Sequence, residues 1–143
     1  MKILRATTTA TRAGAYYVRI QAMARKHRIS LEVEFDEHDT PDTKYIVAVD
    51  DYLPIATCRL YPLDEEHIML GRIVVLPEYR HQGIGTRVVA EAEEWAREMG
   101  FKVSVVESRD NKIQFYETIG YVANFKRKIE GETFTCFKME KNL

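Results

Sequence analysis

A mixed α/β sheet is the fold class this sequence predicts, and three observations carry the prediction. The apolar spacing changes from strand-like to helical after the glycine pair Gly83 and Gly85. The elements read in the order strand, helix, three-strand meander, helix, strand, helix, two strands. One helical crossover joins neighbouring strands, and a crossover returns the chain parallel to the strand it left. A chain of 143 residues suits one core, so residues 1–143 are expected to form a single domain.

Lys2 to Thr8 reads as a first strand. Ala10 to Arg28 reads as helix, because Ala15, Val18, Ala22 and Arg25 share a face and neither Pro nor Gly interrupts after Gly14. An acidic segment, Glu32 to Asp39, closes on the turn signal Thr40-Pro41-Asp42. Tyr45 to Val49 and Ile55 to Tyr61 form a hairpin around Asp50-Asp51. His67 to Leu76 is a long strand closed by Pro77. Val88, Val89, Ala92, Trp95, Ala96 and Met99 make one stripe of a helix capped by Gly100. Val103 to Val106 is a buried strand, and Asn111 to Thr118 a short helix ended by Gly120. Tyr121 to Phe125 and Thr133 to Met139 are the last strands, around a turn at Glu130-Gly131-Glu132.

Composition removes several function classes. Hydrophobic residues make up 45% and charged residues 30%, the balance of an ordinary globular protein. A net charge of -1 gives no reason to expect nucleic acid or an anionic membrane as partner. No apolar run approaches the roughly 20 residues that span a bilayer, and Met1 to Arg5 is too short in apolar residues for a secretory signal. Cys58 and Cys136 stand far apart and outside any C-x-x-C spacing, so they are expected as reduced thiols of a cytoplasmic protein. Glu37-His38-Asp39 does not suggest a metal site, since adjacent residues rarely converge on one ion. His67 and His81 read as surface residues.

The segment Arg80-His81-Gln82-Gly83-Ile84-Gly85-Thr86 lies between a strand and a helix. Its glycines let the backbone turn tightly and approach a ligand. The free N–H groups of the helix's first turn carry partial positive charge and suit a phosphate; Arg80 adds a charged donor. The same loop is also compatible with a plain strand–helix connection. A dinucleotide site would want a third glycine where Val88 stands. A P-loop would end in Gly-Lys-Ser/Thr, which Gly85-Thr86-Arg87 does not supply.

Arg80-x-x-Gly83-x-Gly85, preceded by Arg72 to Tyr79, is similar to the acetyl-coenzyme A signature of the GNAT acetyltransferase superfamily. In register with it, Asn111-x-x-x-Phe115-Tyr116-x-x-x-Gly120-Tyr121 resembles that superfamily's second motif. The segment Leu31 to Asp39 further resembles the YjcF-like or ElaA-like bacterial branch. That branch usually carries Val-Phe-Val-x-Glu-Gln where this chain has Ala22 to His27, so Lys26 and His27 replace an acid and an amide. The resemblance implies a mostly antiparallel central sheet flanked by helices, and transfer of acetyl from acetyl-coenzyme A to an amine without a metal. A homodimer stays open, as does a non-catalytic acyl-coenzyme A sensor.

The resemblance also implies roles for individual residues. Backbone N–H groups from Gln82 to Thr86 would anchor the pyrophosphate, with Arg80 and His81 beside them. The strand edge at Ile73, Val74 and Val75 would pair with the pantetheine arm as an added strand. A backbone N–H there would also stabilise the developing oxyanion. Asn111 and Phe115 would flank the arm. Tyr116 occupies the family's acid position and would protonate the departing thiolate. An alkyl ammonium must lose a proton before it attacks. Glu34, Asp36, Glu37 and His38 are the candidate acceptors, Glu34 first and Asp36 second. An extended segment would put Glu32, Glu34 and Asp36 on one face, with Val33 and Phe35 toward the core and Glu34 partly desolvated between them. Arg72 fits either an acceptor contact or a structural ion pair. The carboxylates together suggest a cationic acceptor.

Overall fold

The computed structural model describes residues 1–130 and 135–143, with the side chains of 125–130 left aside. Seven strands form one sheet in the order β1-β2-β3-β4-β5-β7-β6. They are β1 (Lys2–Arg5), β2 (Lys44–Asp50), β3 (Leu53–Pro62), β4 (His67–Val75), β5 (Val103–Arg109), β6 (Val122–Glu130) and β7 (Thr135–Asn142). Every neighbouring pair is antiparallel except β4 and β5, which run parallel. The expected mixed, mostly antiparallel sheet is thus present. Its parallel pair arises where the sequence placed it, across helix α3 (Ile84–Glu98). The turn expected at Glu130-Gly131-Glu132 lies, from Gly131 onward, outside the described residues, as do Thr133 and Phe134. Among the described residues, no helix is long and apolar enough to cross a membrane.

Helix α1 (Thr9–Arg19) starts on a reciprocal cap. The Thr8 hydroxyl accepts from the Thr11 N–H at 3.2 Å, and the Thr11 hydroxyl accepts from the Thr8 N–H at 3.1 Å. The continuous helix expected from Ala10 to Arg28 instead passes into a π-helical stretch, Ile20–Arg25. Each i→i+5 turn adds one residue per loop and rotates the faces of the residues beyond it. Ala15, Val18 and Ala22 are buried as the periodicity predicted, but Met23 and Ala24 then turn inward and Arg25 stays exposed.

The acidic segment is not extended. It opens with one helical turn, α2 (Leu31–Glu34), followed by tight turns. Val33 is therefore 48% exposed while Glu34 is buried, the reverse of the strand alternation. Helix α3 buries Val88, Val89, Ala92 and Ala96 as expected, and also Glu93. Phe101 donates to the Ala96 carbonyl at 3.1 Å and Gly100, at φ +93°, to Arg97 at 3.0 Å. That is the glycine-ended cap the sequence indicated. The last short helix, α4 (Ile113–Thr118), is entered through a 3-10 turn at Asp110–Lys112.

Candidate active site

Strands β4 and β5 are joined only at one end. His67, Ile68 and Met69 pair with Val103, Ser104 and Val105, and there the ladder stops. Beyond it β4 stays paired to β3 through Val74 and Val75, and β5 stays paired to β7 as far as Arg109. Each strand thus turns an unpaired edge toward the other. An irregularity in the β3–β4 ladder causes the parting. Arg59 pairs Gly71 but Thr57 pairs Val74, and Arg72 adopts φ +48°. The unpaired β4 edge includes Ile73, Val74 and Val75, the residues expected to meet the pantetheine arm.

The open end of β4 runs into the glycine segment. After a 3-10 turn at Pro77–Tyr79, His81 takes φ +63° and Gly83 φ +76°, a conformation that favours glycine at position 83. The Arg87 N–H reaches back to the Gly83 carbonyl at 3.2 Å. The N–H groups of Ile84, Gly85 and Thr86 consequently project from the helix end without intrahelical partners. Arg80 lies alongside, its Nε donating to the Val75 carbonyl at 3.2 Å. A Cβ at Gly85 would lie 3.6 Å from the Phe115 ring and 3.7 Å from Val75. Gly85 and Phe115 therefore border the same space from opposite sides. Gln82 and Asn111 are exposed. His27 joins this end: burial, then the charges of Arg109, Lys26 and Arg80, hold its imidazole below the ordinary value. Of the two residues that replace the branch's acid and amide, Lys26 adds to this basic margin and biases His27 toward its neutral form.

Tyr116 sits under the opening on the α3 side of the sheet. Its ring meets Phe115 and Tyr121 edge-on at centroid distances of 5.1 and 5.7 Å. Burial, with the neighbouring Cys58 thiol, pushes its hydroxyl above the usual tyrosine range, and Arg109 opposes the shift. No described residue hydrogen-bonds to it. Tyr121 is itself fixed by Ser104 at 2.6 Å and Glu93 at 2.9 Å, with Lys141 on Glu93 at 3.0 Å.

The other face carries the acidic segment, and its carboxylates are engaged by arginines. Arg19, fully buried, gives Nε to Glu34 at 2.9 Å and Nη1 to Asp39 at 2.6 Å. Arg59 holds Asp36 at 2.8 Å and Asp39 at 2.9 Å. Arg72 reaches Asp36 at 3.1 Å and Glu34 at 3.4 Å. Burial alone would raise the Asp36 pKa, but the His38 N–H and the Arg59 and Arg72 charges hold it below the usual carboxylate range. Asp39 is likewise depressed against burial by Arg19, Tyr45 and the Asp36 N–H, which donates to its carboxylate. His38 stacks on Tyr61 at 4.0 Å, and Glu37 is 80% exposed. The segment is thus a lattice of ion pairs, and Arg72 takes the ion-pair role. Arg59 Nε is a fully buried side-chain donor without a partner among the described residues.

Sequence reasoning missed Arg19 and Arg59. Arg19 follows Ala15 by four residues on the apolar face of α1, and a cation in that position signals a buried partner. Arg19→Met should strand two buried carboxylates, costing about 3–5 kcal/mol and lowering Tm by on the order of 10 °C. A melt within about 2 °C of wild type would show the lattice to be marginal. The lattice should also respond to acid. Asp36 and Asp39 have depressed folded-state pKa values, so their stabilisation is full above the unfolded value near 3.9 and is lost as pH falls below it. Denaturant midpoints should hold from pH 7 to about 5 and fall steeply toward pH 3.

The sheet thus parts around a bulge, and the N-terminus of α3, opened by Gly83, stands at the mouth. Residues 11–121 match the Acetyltransferase (GNAT) family, and the chain belongs to it. A candidate N-acetyltransferase from Lactobacillus plantarum is 32% identical and superimposes with a TM-score of 0.91, over 99% of this chain and 97% of that one. Escherichia coli ElaA shares the fold at 15% identity and a TM-score of 0.82, covering 98% of each chain. An aminoglycoside 6'-N-acetyltransferase, solved with coenzyme A, shares it at 16% identity and a TM-score of 0.78, over 99% of this chain and 97% of the other.

Proposed function

We propose that this chain transfers acetyl directly from acetyl-coenzyme A to a primary amine, cationic in solution, and that it does so as a single-domain cytoplasmic enzyme. The single observation behind this reading is the parting of β4 and β5, which leaves an unpaired edge running into the Gly83–Thr86 helix end. Both features suit the ligand, an amide-bearing arm ending in phosphates. Ile73, Val74 and Val75 would receive the arm. Gln82, Gly83, Ile84, Gly85 and Thr86 would hold the pyrophosphate, with Arg80 adding positive charge and His81 and His27 beside it. Asn111 and Phe115 would close the other side. Bound acetyl-coenzyme A supplies an activated acyl carbon and a thiolate leaving group.

Tyr116 would give its proton to the departing sulfur, a role its retained proton at neutral pH suits. Glu34 and Asp36, the carboxylates nominated by the sequence, border the acceptor side. With guanidinium partners at 2.8–3.4 Å they suit holding that wall and its charge pattern better than accepting protons. The test is an acceptor screen following thiol release from acetyl-coenzyme A with a polyamine, an aminosugar, an aminoglycoside, free amino acids and a lysine peptide. Release with at least one amine is expected. Saturable acetyl-coenzyme A binding with no release across the panel would favour a sensor instead.

A further inference from the structure

Glu107 stands apart from the acidic lattice. It lies on β5, two residues beyond Val105, the last residue paired to β4. Had that ladder continued, Gly71 would face it, and Gly71 pairs Arg59 on β3. Glu107 is therefore level with the β4 bulge, on the opposite wall of the opening. Strand alternation puts it on the same face as Arg109. Arg109 donates to Met23 Sδ at 3.5 Å and feels the Glu34 charge, which identifies that face as the one covered by the π-helical stretch Ile20–Arg25 and the acidic segment. Ser104, three residues back, points to the other face and bonds Tyr121. Glu107 is exposed, and no hydrogen bond or ion pair engages its carboxylate among the described residues. Its cross-strand neighbour Lys138 pairs Glu140 at 3.3 Å instead. Its charge adds to burial in raising the Tyr61 hydroxyl and the Cys136 thiol, so it lies within electrostatic reach of both.

Resting on the acetyltransferase reading above, we propose that Glu107 is the proton acceptor for the attacking amine. Three carboxylates of the acidic segment, Glu34, Asp36 and Asp39, are already bound to guanidinium groups. Glu107 is level with the bulge and unengaged. It also lies across the sheet from Tyr116, which packs on Tyr121 on the opposite face. A nucleophile entering on one face and a leaving group departing on the other need their proton acceptor and donor on those two faces. Glu107 takes one proton from the ammonium. The nitrogen lone pair forms the N–C bond as the C–S bond breaks, and Tyr116 protonates the sulfur. The second nitrogen proton restores Tyr116 through water, and Glu107 releases its own to solvent.

The other titratable or charged groups around this space are Tyr61, His38, Asp36, Arg72, Arg109, Cys136 and Lys138, and all are kept in the test variant. Glu107→Gln should leave the acetyl-coenzyme A thermal shift unchanged and lower kcat roughly 100-fold at pH 7. The deficit should shrink as pH rises toward the amine's own pKa near 10, where the free base arrives unaided. Glu107→Asp should recover part of the rate, and Glu34→Gln and Asp36→Asn should lack the pH-dependent rescue. A Glu107→Gln enzyme as fast as wild type, or one whose deficit is constant from pH 6 to 9.5, overturns the proposal while leaving the acetyltransferase reading standing. No thiol release by the wild-type protein with the amine panel overturns both.

Discussion

Tyr116→Phe should lower turnover by roughly 10- to 1000-fold while acetyl-coenzyme A binds as before. The substitution removes one oxygen and keeps the ring. The edge-on contacts with Phe115 and Tyr121 depend on that ring and should survive. No described residue hydrogen-bonds to the hydroxyl, so its removal should leave no buried partner stranded. The lost group is a proton donor for a thiolate whose conjugate acid has a pKa of roughly 8.5. The loss should therefore appear in kcat, and most strongly at high pH, where solvent offers fewer protons. Single-turnover thiol release against pH for both proteins is the measurement. Equal rates would reduce Tyr116 to a packing residue beneath the opening.

Gly85→Val should abolish the rise in Tm that acetyl-coenzyme A gives the wild-type protein. A ligand at about 100-fold its Kd stabilises the folded state by about 2.7 kcal/mol, a shift of several degrees here. The Cβ position at Gly85 has room, with its nearest contacts at 3.6 and 3.7 Å. Alanine should accordingly be tolerated and the unliganded melt should change little. The two further methyls of valine extend between Val75 and Phe115, the route from the strand edge to the helix N–H groups. An unchanged shift in a folded Gly85→Val protein would remove the phosphate role from this loop.

Much of this arrangement can be read before any coordinates. The β4–loop–α3 passage is local: a strand ending at Pro77, two glycines and an amphipathic stripe leave few alternatives over Arg72 to Met99. Asn111 to Tyr121 is equally local. The acidic segment is harder. Its charges suggest an exposed, extended chain, but Arg19, Arg59 and Arg72 come from α1, β3 and β4, and only folding brings them together. Those ion pairs stabilise a helical turn that buries Glu34 and exposes Val33, which no local pattern encodes. The π-helical stretch is hidden for a similar reason, since its apolar residues fit an α-helical stripe until the register slips at Met23. Glu107 escapes notice because the apolar run ends at Val106, whereas β5 continues to Arg109 on its pairing with β7.

The central claim is that acetyl leaves coenzyme A for an amine on this protein. Counting both products in one purified reaction tests it most directly, with free thiol by colorimetry and acetylated amine by mass spectrometry. One acetamide per thiol is expected, with both products falling together in Tyr116→Phe and Gly85→Val. Thiol without acetamide would make the chain a thioesterase, and tight acetyl-coenzyme A binding with neither product would make it a sensor; either result contradicts the account.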